Sequence, residues 1–150
     1  MKKITLTLAL LSTLIIAGKL TTIDTYKKAL NVAKDTNKTI LFMTSIEGCP
    51  VCDYMKDVVF EKKKVIDYLK ENYVVVIRDA ETEVYPKRFY TRDMPTFYFV
   101  NPTSEKEIRK PKVGGSTPEK FLSVIKKAIE GENNNTVAMA TKTNTEEGIH

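Results

Sequence analysis

Cysteine and histidine are scarce in this chain, with two cysteines and one histidine among 150 residues, and tryptophan is absent. A closed zinc site takes four ligands, so none can be built from these two residue types alone. Glycine and proline number six each, which excludes a collagen-like repeat; 42% hydrophobic and 29% charged residues exclude a wholly disordered chain. Long apolar runs are lacking too. The uncharged stretch from Ile4 to Ala17 is 14 residues long, short of the roughly 20 that span a bilayer, so a multi-span membrane protein is excluded. Nor is charge of one sign concentrated: 24 basic residues are scattered among 19 acidic ones, for a formal net charge of +5. Nucleic-acid binders usually show a concentrated basic face with base-stacking aromatics, and no nucleic-acid partner is expected here.

The two ends read differently from the middle. Lys2 and Lys3 precede the apolar stretch, the positive-then-apolar order of a secretory signal. A cut after Ala17 or Gly18 leaves Ile15 or Ile16 two residues further back, so residues 1–18 read as a signal peptide or an N-terminal anchor, with a buried helix as the plainer alternative. No cysteine follows the run, and lipid anchoring there is not expected. Residues 132–150 contain no Phe, Tyr, Leu or Trp and no sustained period, and they read as a disordered tail. Residues 19–131 form the one expected domain. The short leader and the Lys/Asn/Ile-rich composition fit a bacterial host, which makes the expected location periplasmic.

Within that domain Ile23, Tyr26, Leu30 and Ala33 recur at helical spacing, predicting an amphipathic helix from Thr22 to Asn37. Thr39 to Thr44 is a short apolar run suited to a strand buried on both faces. A loop and a helix follow, Val65, Ile66 and Leu69 extending or restarting that helix. Tyr73 to Ile77 is a β-branched run suited to a central strand. A short helical candidate spans Val84 to Tyr90, and Pro95 marks the start of a third strand, Thr96 to Val100. Lys106 to Val113 is predicted to return as an antiparallel edge strand. Thr117 and Pro118 open a last helix with Phe121, Leu122, Ile125, Ala128 and Ile129 on one stripe. The order αβαβαββα implies an α/β fold with parallel pairing in its first half.

The residues that carry chemistry are Cys49 and Cys52, in Gly48-Cys49-Pro50-Val51-Cys52 where a strand hands over to a helix. A spacing of three lets both sulfurs meet on the first helical turn, so the pair can cycle between dithiol and disulfide. Unpaired N–H groups at the helix start favour a thiolate at Cys49, the expected nucleophile. Cys52, one turn in, is the expected resolving thiol. Two readings compete: a purely structural disulfide, and a copper or other soft-metal carrier in which two thiolates are joined by Met55 or Met94.

The motif together with Met94-Pro95-Thr96, 45 residues on, and Val113-Gly114-Gly115 before the final helix resembles the thioredoxin superfamily. Exported thioredoxin-like proteins with a C-P-x-C motif are the nearest likeness, and Val65, Tyr68, Leu69, Asn72, Tyr73 and Val74 fit a segment they share. The resemblance implies a thioredoxin fold, a central mixed sheet of about four strands flanked by helices. It also implies a cis bond before Pro95 and a substrate groove formed by Met94, Pro95 and Gly114. A thiol-disulfide oxidoreductase of protein clients is implied, a monomer without bound cofactor, supplied by a membrane electron donor such as a thiol-disulfide transmembrane reductase. The chain departs from the pattern at three places. Gly48 stands where thioredoxins have Trp, Met43 where they bury an Asp, and Val51 where strongly oxidising relatives have His. With the buried acid missing, Glu47 becomes the candidate for proton transfer to or from Cys52.

Overall fold

The computed structural model describes residues 19–131; the readings of residues 1–18 and 132–150 concern segments outside the described residues. Three strands carry the architecture: β1 (Thr39–Ser45), β2 (Tyr73–Asp79) and β3 (Thr96–Val100). Their side chains point alternately to opposite faces, and helices cover both faces, which is why the strands read as nearly continuous apolar runs. Ile40, Phe42, Val74, Val76, Tyr98 and Val100 share one buried cluster, while Leu41, Met43, Tyr73, Val75, Phe97 and Phe99 share the other. The sheet runs β2-β1-β3-β4, where β4 is Lys112–Val113. β1 pairs parallel with β2 from Thr39↔Tyr73 to Ser45↔Asp79, β3 runs antiparallel to β1, and β4 is antiparallel to β3.

Helix α1 (Tyr26–Thr36) lays Tyr26, Ala29 and Ala33 on the first face. Thr25 starts it by accepting the Lys28 N–H through Oγ1 at 3.2 Å, and Asn37 ends it in the left-handed region at φ 52°. The second face is covered by α2 (Pro50–Tyr54), which runs into a π turn (Met55–Val59), by α3 (Lys63–Asn72), and by α4 at residues 118–131. Thr117 opens α4, taking the Lys120 N–H on Oγ1 at 3.4 Å and the Phe121 N–H on its carbonyl at 2.9 Å.

Several expectations need correction. The first helix starts at Tyr26 rather than Thr22, because Thr22 and Ile23 bridge to Val75, with the Ile23 N–H on the Val75 carbonyl at 2.8 Å. β2 is an outer strand, not a central one; its first four residues are nevertheless buried, since both faces are covered and the 22–23 bridge lies along its open side. The second helix restarts rather than extends. Phe60 donates to the Met55 carbonyl five residues back at 2.9 Å, and the chain turns before α3 begins. The candidate helix at Val84 to Tyr90 is one 3-10 turn, Lys87–Phe89, because Pro86 biases the residue before it toward extended backbone. The edge strand shrinks to Lys112–Val113 plus an isolated bridge between Val100 and Glu107. Pro111 has no N–H to give the ladder between them.

Candidate functional site

The chain leaves β1 at Ser45, and Gly48 bends the loop at φ +71°, a left-handed backbone that favours glycine although a Cβ there would have room. The bend delivers Cys49 in extended conformation to the N-cap of α2, with Pro50 at the first helical position. Cys49 and Cys52 are joined as a disulfide with their Cα atoms 5.3 Å apart. The two sulfurs are not equivalent. Cys52 is fully buried in the cluster that contains Met43, Met55 and Phe97, while Cys49 is half-buried at its margin. The Cys52 N–H points at Cys49 Sγ at 3.2 Å.

A second segment approaches through the loop after β4. Gly114, at φ +78°, donates its N–H to the Pro95 carbonyl at 2.8 Å, carrying the β3–β4 pairing one rung beyond the strands. The Met94–Pro95 bond is cis. Gly115 lies so close to the redox dipeptide that a Cβ on it would stand 2.6 Å from Val51 Cγ1. Ser116 donates its N–H to Met55 Sδ at 3.4 Å. Three consecutive residues, Gly114 to Ser116, therefore tie the proline segment to the helix that carries the cysteines. Met94 is half-buried and packs on the same cluster as Cys49.

Glu47 is exposed and borders an open cleft of about 400 Å³ with Asp53, Lys56, Asp79 and Glu83. Lys56 pairs with Asp53 at 2.8 Å. Asp79 accepts the N–H groups of Glu81 and Thr82 at 2.9 and 3.0 Å and the Thr82 hydroxyl at 3.0 Å. These donors, that of Glu81 foremost, hold its carboxyl below the ordinary Asp value against a smaller opposing effect of burial. Met43, at the position of the missing acid, is fully buried among apolar side chains. Among the described residues no group of three or more His, Cys, Asp or Glu side chains is placed to hold a metal ion. Met55, a soft donor of the metal-carrier reading, has its sulfur turned to Ser116. Sequence reasoning passed over Lys112, while Gly115 stood in the glycine pair whose missing side chains allow close backbone approach. The paired glycines were legible, but the contact that makes the second one necessary is set by the distant Val51.

A mixed sheet packed on both faces by helices, with a disulfide-capable C-P-x-C pair where β1 meets α2, defines a thioredoxin-like oxidoreductase. The chain belongs to the thioredoxin-like domain family, whose model matches residues 26–129. Among solved structures it is similar to a thioredoxin from Thermus thermophilus, with 22% identity over 75% of this chain and 88% of that one and a TM-score of 0.63. A DsbH oxidoreductase matches at 17% identity over 86% and 94% of the two chains, TM-score 0.62. The C-terminal domain of Neisseria meningitidis DsbD, in its oxidised form, matches at 14% over 68% and 90%, TM-score 0.54. At such identities the likeness is one of fold. No curated protein matches the chain in sequence.

Proposed function

We propose that the protein is a periplasmic thiol-disulfide oxidoreductase that reduces protein disulfides, or relays electrons to them, through Cys49 and Cys52. The observation that carries this reading is the inequality of the two sulfurs: one at the surface facing an N–H donor, its partner buried within bonding distance. In the dithiol form, that N–H favours a thiolate at Cys49. The Cys49 thiolate attacks one sulfur of a client disulfide, the client S–S bond breaks, and the other client sulfur leaves as a thiolate. Cys52 then gives up its proton and attacks Cys49 Sγ, which releases the second client thiolate and closes the Cys49–Cys52 disulfide. Two electrons pass to the client, and a dithiol donor must return them; outside the cytoplasm that role falls to a membrane thiol-disulfide reductase. The leader-like order of residues 2–17 supports export. Among the described residues no helix is long and apolar enough to cross a membrane.

Replacing Cys52 by Ser removes the resolving thiol, so mixed disulfides through Cys49 are expected to accumulate and to be seen on non-reducing gels. Failure to trap any thiol client sinks the reading. The direction of flow rests on Val51, which is 45% exposed and carries no charge. A His at that position helps hold the thiolate and makes the couple oxidising; its absence predicts a more reducing potential. Equilibration with a glutathione buffer measures it, and oxidising power equal to that of C-P-H-C proteins contradicts the reducing role.

A further inference from the structure

We propose that Lys112 is the positioning residue of the client-facing loop: its ammonium gathers the carbonyls of Val113, Gly114 and Gly115 and so keeps Gly115 seated on Val51 beside the attacking sulfur. The inference rests on the reading that Cys49 exchanges disulfides with protein clients, and it names the residue that shapes the surface those clients meet.

An ammonium has three protons to donate and no acceptor. Lys112 spends all three on the residues that follow it, at 3.1 Å to the Val113 carbonyl and 3.1 Å to that of Gly115, with the Gly114 carbonyl between them. No ion pair among the described residues includes it. Its nitrogen lies 5.6 Å from the centre of the Phe97 ring, a cation–π distance, and Phe97 is itself fixed against Phe60 and Phe121 in the core. Burial pushes this ammonium below the ordinary lysine value. A half-buried cation is thus anchored on the core at one side and bound to backbone on the other.

The loop needs such a device. β4 is two residues long, so the ladder ends almost where it begins. Gly114 and Gly115 follow, and paired glycines carry more conformational freedom than any other dipeptide. Yet the three residues 114–116 make definite contacts with Pro95, Val51 and Met55. Without the ammonium the three carbonyls would turn to water, and the freedom of the glycines would return to the loop.

Two variants test the inference, Lys112→Met and Lys112→Gln, each keeping an unbranched stem while removing the charged donor. Amide hydrogen exchange at Gly114 and Ser116 is expected to accelerate about tenfold, with β1 amides unchanged. In steady-state reduction of insulin disulfides, KM is expected to rise about fivefold while kcat stays within about twofold, the split expected when a binding surface is loosened. Unchanged exchange at Gly114 and Ser116, or faster exchange with an unmoved KM, overturns the inference. Insulin left intact by the parent protein would strike the redox reading instead. The exchange comparison needs no turnover and then decides by itself whether Lys112 holds the loop.

Discussion

The face of the sheet against α1 is held by rings. Phe42 lies against Tyr26, Tyr85, Phe89 and Tyr98 with centroids 6.0, 5.7, 4.5 and 6.4 Å away. The opposite face, against α2, α3 and α4, mixes Leu41, Met43, Val59, Val65 and Leu69 with aromatics and carries Cys52. One strand feeds both: Phe42 goes to the rings and Met43, the next residue, to the cysteine side. Stability without chemistry is therefore concentrated on one face, and chemistry embedded in stability on the other. Tyr26 adds a polar handle to the ring cluster through Arg88, whose guanidinium lies 5.2 Å from its ring centre and 4.8 Å from that of Phe89. None of the residues proposed for thiol exchange lies in that cluster.

The largest expected effect breaks the ring face. Phe42→Ala leaves a cavity between four aromatic neighbours, and truncating a buried Phe typically costs about 3–5 kcal/mol. Urea unfolding is expected to show that loss, while the redox potential of the folded fraction stays at the parent value. A potential that moves with stability would mean that the two faces are energetically one. A smaller effect is expected on the other side. Gly115→Ala puts a methyl 2.6 Å from Val51 Cγ1, and since Val51 is half-exposed it can shift. Relief of that overlap at an exposed site is expected to cost less than the roughly 1–3 kcal/mol of overpacking in a core, and slower exchange with a protein client is expected at the same time. Parent-like exchange by a destabilised Gly115→Ala protein would show that the Val51–Gly115 contact serves folding alone.

The contrast also explains how much was legible in the sequence. Strands β1, β2 and β3 were readable because both faces are buried and their apolar runs are unbroken. The motif at Cys49 was readable because its parts lie within five residues, and the start of α4 because Thr117 and Pro118 are local signals. β2 as an outer strand was not readable, since a strand covered on both faces has the same composition wherever it stands in the sheet. The loss of the edge strand was foreshadowed by Pro111, which has no N–H for the ladder and lies between Lys110 and Lys112, residues that are themselves depleted in strands. The contact of Gly115 with Val51 and the three bonds of Lys112 depend on tertiary placement. A Lys followed by Val-Gly-Gly looks like any solvated turn until the core beneath it is known.

The smallest effect falls where β1 and β2 end side by side, next to the redox loop. Asp79 gathers the turn at residues 79–83 through the N–H groups of Glu81 and Thr82, and the Glu47 backbone, in the segment that leads to Cys49, is the smallest of the influences that lower its carboxyl. Beside it the Ala80 N–H bonds to the Ser45 carbonyl at 2.8 Å. Its folded-state pKa is lowered, so the stabilisation is fully present above the unfolded value of about 3.9 and is lost as pH falls through the folded value. Amide shifts of Glu81, Thr82 and Glu47 are therefore expected to titrate together below about pH 4, ahead of the amides of the ring face. Asp79→Asn, which keeps the shape and removes the charge, should abolish that shared titration. If the Glu47 amide goes on titrating in the variant, another acid governs the loop, and Asp79 does not couple the sheet's end to the cysteine segment.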